Sequence, residues 1–280
     1  MSDAVSPNGI RHALVLGGGG AVGIFWMVGL AAGLRAAGVD LALADRFVGT
    51  SAGAVVGAML AGGGELPSPE TRPAPDTTQA QPNLNGFTEI MTLAATPGLT
   101  PAEVVQRIGA RALELQVGDP ADHIARISDL AGVSDWPDAD LIVTALDTTT
   151  GELQTWTRTG MASLPEALAS STAVPGVFPP IPIRGHHYID GGLRSPINAD
   201  LAAGADLIVI IEPLAHLFPH SPSDSQLGGA TTLSIVPDAD TLTAFGQDLF
   251  DISTLVPAYE AGVRQASDAA LRLKAVWPTR

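Results

Sequence analysis

The apolar positions of this chain fall into short runs separated by glycine. The first, His12 to Leu16, is followed by Gly17 to Gly20 and then by an apolar stretch from Ala21 to Ala37, an order that predicts strand, glycine turn and buried helix. The same order returns at Arg46 to Val48, Gly49-Thr50-Ser51-Ala52-Gly53 and Ala54 to Ala61. Further on, helical periodicity over Glu103 to Leu115 and Ala121 to Leu130 predicts a helical cover, with Thr100 and Pro101 suited to the cap and first turn of its first helix. Asp140 to Leu146 and Glu152 to Thr157 predict strands on either side of the turn Thr149 to Gly151, and Leu164 to Ser171 predicts a short helix. Tyr188 and Ile189 lead into Asp190-Gly191-Gly192, Asp206 to Ile211 predicts a fully buried strand, and Tyr259 to Val276 predicts a closing helix. Strands alternating with helices predict an α/β fold, a mostly parallel sheet covered on both faces.

Two segments lack this patterning. Gly62 to Gly86 carries Pro67, Pro69, Pro73, Pro75 and Pro82 among Thr, Gln and Asn, which predicts a mobile loop or lid without helix or central strand. His216 to Gly229 predicts a second loop. The organisation that follows is an N-terminal tail over 1–11 and one domain over 12–280. With 280 residues, 46% of them hydrophobic, a sizeable core is within reach. Ala13 to Leu34 and Phe47 to Gly64 are free of charge and long enough to mimic membrane spans, but each is interrupted by glycines that cost a helix about 1 kcal/mol apiece relative to alanine. The polar N-terminus does not read as a signal peptide, so the cytoplasm is the default location.

Charge and cysteine usage narrow the chemistry. Fourteen Lys and Arg against 29 Asp and Glu give a formal charge of −15, which opposes nucleic acid as a partner and disfavours electrostatic docking on anionic lipid. The chain has no cysteine, which excludes disulfides, thiol catalysis and thiolate metal sites. His216 and His220 have the i, i+4 spacing of a zinc helix, but no Glu follows His216 and Pro219 lies between them. No metal and no cofactor is expected.

Gly49, Ser51 and Gly53 match G-x-S-x-G between a predicted strand and helix, the context in which a strained turn lifts a serine hydroxyl to a helix N-terminus. The plainer reading is a glycine turn with a capping serine. Gly18, Gly20 and Gly23 match G-x-G-x-x-G, which suits a dinucleotide or, through the N–H groups of Gly18, Gly19 and Gly20, an oxyanion. A dinucleotide site wants an acidic residue ending the second strand, where this chain has Gly49-Thr50-Ser51. A nucleophilic serine needs a base. The chain offers His12, His123, His186, His187, His216 and His220, and also Asp190, a carboxylate at a strand end beside the tight turn Gly191-Gly192. An α/β-hydrolase would place its serine after several strands, whereas Ser51 follows only one earlier strand.

The glycine loop Gly17 to Gly23, the elbow Gly49 to Gly53, the segment Ala169 to Pro180 and Asp190-Gly191-Gly192, in this order, resemble the patatin-like phospholipases over roughly residues 12–212. The resemblance implies a three-layer α/β/α fold and metal-free hydrolysis of acyl esters of lipids by a Ser-Asp dyad. It makes Ser51 the nucleophile, Asp190 the base and the amides of Gly18, Gly19 and Gly20 the oxyanion hole. Lipid or another acyl ester is then the substrate, met through transient contact with a membrane surface. A lipid-binding protein of the same fold without turnover is the alternative. In one respect the chain departs from the family: Val22 stands where an Arg or Lys is common, so an arginine introduced at position 22 is expected to improve the handling of anionic head groups.

Overall fold

A computed structural model describes residues 11–64, 66–69 and 84–278 of the chain. Most of the predicted tail and of the Pro-rich segment 62–86 lies outside them. Strand β1 (His12–Leu16) turns through glycines into helix α1 (Gly20–Ala36), and β2 (Arg46–Gly49) turns into α2 (Ala52–Ala61). Eleven residues of α1 and nine of α2 are buried, so neither helix keeps a broad polar face. These are the two stretches whose hydropathy mimics a membrane span. No helix among the described residues is long and apolar enough to cross a membrane.

A cover of α3 (Leu84–Ala94), α4 (Pro101–Leu115) and α5 (Pro120–Ala131) follows, and α4 opens on the capping box between Thr100 and Glu103. The rest of the sheet comes from β3 (Asp140–Asp147), β4 (Leu153–Trp156), β5 (Ile181–Ile183), β6 (His186–Asp190), β7 (Leu207–Ile211) and β8 (Thr231–Ile235). Helix α6 (Leu164–Ser171) lies between β4 and β5, while α7 (Ala239–Phe245) and α8 (Leu255–Leu273) close the chain. Strands β3, β2, β1, β7 and β8 pair in parallel in that order, and β4, β5 and β6 add antiparallel pairings at the β3 side.

Both faces of the sheet are covered. Leu14, Leu16, Phe47, Val143 and Ile211 pack under α1, α2 and the other helices of one layer. Alternate residues Ala13, Val15, Val48, Ile208 and Ile210 face Ile197, Ala199 and Ala202 on the other side, and Leu146 and Ile189 pack with Ile90, Val105 and Ile108 of α3 and α4. Period-two alternation along central strands thus divides the core between two layers, giving the three-layer α/β/α arrangement.

The loop expected over 62–86 is corrected at its end, because α3 begins at Leu84 and Gly86 lies within it. The prolines stop at Pro82, and Gly86 is held against Gly176, whose carbonyl oxygen would be 2.6 Å from a Cβ at that position. Strands β5 and β8 and helix α7 also exceed the sequence expectation. Each is short, and β5 has Pro182 at its centre.

Candidate active site

The register of β3 brings Ser51 and Asp190 together. Val143 pairs with both Gly49 of β2 and Trp156 of β4, and Ala145 pairs with both Gln154 of β4 and Asp190 of β6. Since a strand residue has one neighbour on each side, β4 occupies one edge of β3 while β2 and β6 share the other. One runs parallel to β3 and the other antiparallel, so their C-terminal ends meet two residues apart. Ser51 follows one end by two residues, and Asp190 is the other end.

Ser51 sits in the turn from β2 to α2 with φ 54° and ψ −120°, in the left-handed region that favours glycine. Such a conformation costs about 1–3 kcal/mol and persists only where its surroundings hold it. Here the hold is visible: the Ser51 N–H donates to Ser171 Oγ at 2.9 Å, Thr50 N–H donates to Leu16 O at 3.0 Å, and Gly53 N–H donates to Thr50 O at 2.9 Å. Although Ser51 occupies the cap position of α2, its side chain makes no cap hydrogen bond. The hydroxyl instead lies near enough to the Asp190 carboxylate to favour its ionised form.

Asp190 is buried, and its backbone is fixed by its N–H donating to Ala173 O at 3.1 Å. Burial disfavours the charged form and pushes the Asp190 pKa up to about 6, while the nearby Ser51 hydroxyl and the Gly192 N–H, which donates to Oδ1 at 2.7 Å, oppose that shift. The carboxylate is therefore a stronger base than an ordinary aspartate, and it remains ionised at neutral pH.

The glycine loop lies alongside. A Cβ on Gly18 would be 3.6 Å from Ser51 Cβ. Gly18 N–H, however, donates to Pro196 O at 2.8 Å, so the three-donor reading is narrowed: among the described residues, Gly19 and Gly20 N–H have no acceptor. Both stand at the start of α1, where the helix dipole favours negative charge. Gly23 N–H closes the turn onto Gly19 O at 2.8 Å.

A buried polar cluster that sequence reasoning missed ties these parts together. Thr144 Oγ1 donates to Thr50 Oγ1 at 2.9 Å, and Asn198 Nδ2 donates to Thr50 Oγ1 at 3.0 Å and to Ser195 O at 2.8 Å. Asp224 accepts from the Ser195 hydroxyl and from Ala199 N–H at 3.0 Å. The elbow, β3 and the chain after Asp190-Gly191-Gly192 thereby share one scaffold. The only signal in the sequence was the polar character of these residues among apolar runs.

None of the six histidines hydrogen-bonds Ser51 or Asp190. His12 faces Asp45, His186 faces Asp147, His220 faces Glu212, and His123 bonds Thr172 and Arg126.

Val22 overturns the expectation for an arginine at that position. It is fully buried, and its N–H donates to Leu249 O at 3.1 Å. Burying an unpaired cation costs several kcal/mol, so Val22→Arg is expected to lower the melting temperature sharply rather than to improve anionic substrates. A thermal melt at the wild-type temperature would contradict this.

A central parallel sheet whose strand ends gather a strained serine, a buried carboxylate and a glycine loop defines an α/β protein with a hydrolase-like site. Residues 14–203 match the family described as patatin-like phospholipase, and the chain belongs to that family. No curated protein sequence matches it significantly. Among solved structures, VipD from Legionella pneumophila is similar at 14% identity over 94% of this chain and 67% of that chain, with a TM-score of 0.48. The type III effector protein ExoU is similar at 18% identity over 94% of this chain and 54% of that chain, with a TM-score of 0.35. This chain thus spans about two thirds of the first and about half of the second.

Proposed function

We propose that residues 12–280 form one catalytic domain, a cofactor-independent serine acyl-ester hydrolase acting on lipids at a membrane surface. Ser51 Oγ attacks the acyl carbonyl carbon while Asp190 takes the hydroxyl proton, and the oxyanion that forms accepts hydrogen bonds from Gly19 and Gly20 N–H. The tetrahedral intermediate collapses, Asp190 returns the proton to the leaving alcohol, and an acyl-Ser51 ester remains. Water, deprotonated by Asp190, then attacks that ester and releases the carboxylic acid, restoring both groups.

The observation that carries this reading is the Ser51 hydroxyl, not used as a cap and set beside a buried carboxylate whose pKa is raised. A capping serine would bond its own helix. A fluorophosphonate probe tests it: covalent labelling is expected at Ser51 and not at Ser170 or Ser171, with one adduct found by peptide mapping. Folded protein that gives no adduct at Ser51 would defeat the enzyme reading and leave the binding protein of the same fold.

A further inference from the structure

Arg126 on α5 stands apart among the cations of this acidic chain. Four described arginines are half-buried, and three of them, Arg46, Arg111 and Arg194, hold a carboxylate at 2.7–2.8 Å. Arg126 has no carboxylate within ion-pair distance among the described residues. Asp122, one turn earlier on the same helix, acts on it only at longer range. Burial pulls its pKa below the ordinary arginine value, a desolvation cost that Asp122 offsets only in part.

The groups around Arg126 position it without neutralising it. Its Nη2 lies 2.6 Å from Nδ1 of His123, whose Nε2 is 3.0 Å from Thr172 Oγ1. Thr172 donates its own proton to Leu168 O at 3.0 Å, so His123 donates through Nε2–H and accepts the arginine proton at Nδ1. Burial and the adjacent guanidinium hold the His123 pKa down at about 3, which keeps the ring neutral. The guanidinium carbon lies 4.9 Å from the centroid of Phe178, a cation–π contact that leaves the charge in place. Guanidinium has five N–H donors, and only one is taken by His123.

A chain of contacts links Arg126 to the candidate site. Thr172 adjoins Ser171, whose Oγ accepts the Ser51 N–H. Phe178 meets Phe250 edge to face at 5.7 Å, and Leu249, the residue before it, accepts from Val22 N–H of the glycine loop. Arg126 thus faces a rim that runs from α5 across two half-buried aromatic rings to the oxyanion loop. A planar fork of free donors on an apolar rim, with one positive charge, matches a tetrahedral phosphate oxyanion attached to an apolar body.

We propose that Arg126 is a specificity-determining residue, its guanidinium binding the phosphodiester of a zwitterionic phospholipid whose acyl ester lies at Ser51. The proposal rests on the hydrolase reading above. The overall charge of −15 repels net-anionic surfaces at long range, while Arg126 selects a phosphate at contact, and a zwitterionic head group satisfies both.

The test compares wild type with Arg126→Gln and Arg126→Lys on a short-chain diacyl phosphatidylcholine and on the diacylglycerol with the same acyl chains. Arg126→Gln should lower the phosphatidylcholine-to-diacylglycerol ratio of kcat/KM at least about tenfold, mainly through KM, in line with a hydrogen bond to a charged group. Arg126→Lys keeps the charge and loses the fork, so its ratio should fall less; it also carries the test if the glutamine variant does not fold. Equal losses on both substrates, or an unchanged ratio, would overturn the assignment. A diether analogue of the same phosphatidylcholine has no ester to cleave, so its binding by calorimetry reads Arg126 even if turnover is absent. About tenfold weaker binding to Arg126→Gln is expected, and equal or undetectable binding to both proteins rejects the proposal. Inorganic phosphate alone binding as tightly as the diether would assign the site to free phosphate and reject the head group.

Discussion

Replacing Asp190 by asparagine is expected to lower kcat/KM at least about a hundredfold, the lower range for loss of a general base, in a protein that melts no lower than wild type. The shape and the acceptor for Gly192 N–H are retained, but the proton acceptor for Ser51 is lost. Stability should move the other way from activity. Because burial raises the Asp190 pKa to about 6 from an ordinary value near 3.8, the native state binds the proton more tightly than the unfolded chain. The stabilisation that goes with the protonated form is full below about 3.8 and is lost as the pH rises through about 6, which leaves the ionised carboxylate costing ~3 kcal/mol at neutral pH. Asparagine removes that cost, so the variant should gain in melting temperature at pH 7 to 8, and the gap should close as the pH falls towards 4. Wild-type activity has the matching acid limb, rising through a pH of about 6 as Asp190 ionises. If the variant keeps activity within tenfold, or if the acid limb survives in it unchanged, Asp190 is not the base. Substitution of His186, His187, His216 or His220 should have no comparable effect, since none of these hydrogen-bonds Ser51 or Asp190.

The sequence made the parallel part of the fold legible because its strands are short apolar runs and its first two helices are apolar stretches entered through glycine turns. The strands β1, β2, β3 and β7 and the helices α1, α4, α5 and α6 were predicted to within two residues of the observed ends. What periodicity could not show was pairing. The meeting of β2 and β6 on one edge of β3 depends on β4 occupying the other edge, a long-range choice that no local pattern records. Short elements were lost for a different reason. Three residues of β5 and seven of α7 are too few to show a period, and the edge strand β8 is only half-buried, so its Thr-rich pattern resembles a loop. At the site, the glycine and Ser-Asp motifs were readable as local turn chemistry. The roles of Ser171, Asn198 and Arg126 were not, because the first two act through partners 120 and 148 residues away and the third through the absence of an ion-pair partner among the described residues. A polar residue in an apolar run shows that something must satisfy it, and only the packed structure shows what.

Gly53→Ala is expected to destabilise the protein by about 3 kcal/mol or more and to lower the melting temperature by roughly 10 °C. A Cβ at Gly53 would stand 1.9 Å from Leu16 O and 2.3 Å from Leu16 C, with Gly17 O at 2.8 Å. All three are backbone atoms at the end of the central strand, so no rotamer change relieves the contact. Leu16 O also accepts the Thr50 N–H, so pushing β1 away loosens the turn that strains Ser51 and moves the glycine loop that carries the proposed oxyanion donors. Activity should therefore fall along with stability, since an ångström of misplacement at reacting atoms costs on the order of a hundredfold. Gly57→Ala in the same helix is the control. Its Cβ would meet only side-chain carbons, at 3.4 Å from Leu141 and 3.5 Å from Leu16, so alanine should be neutral or stabilise by up to about 1 kcal/mol through helix propensity. Denaturant unfolding of the two variants separates packing from propensity. Equal effects at positions 53 and 57 would mean that the close approach of α2 to β1 is not what fixes the elbow. A large loss at position 53 alone ties the geometry of Ser51 to a backbone contact made possible by one missing methyl group.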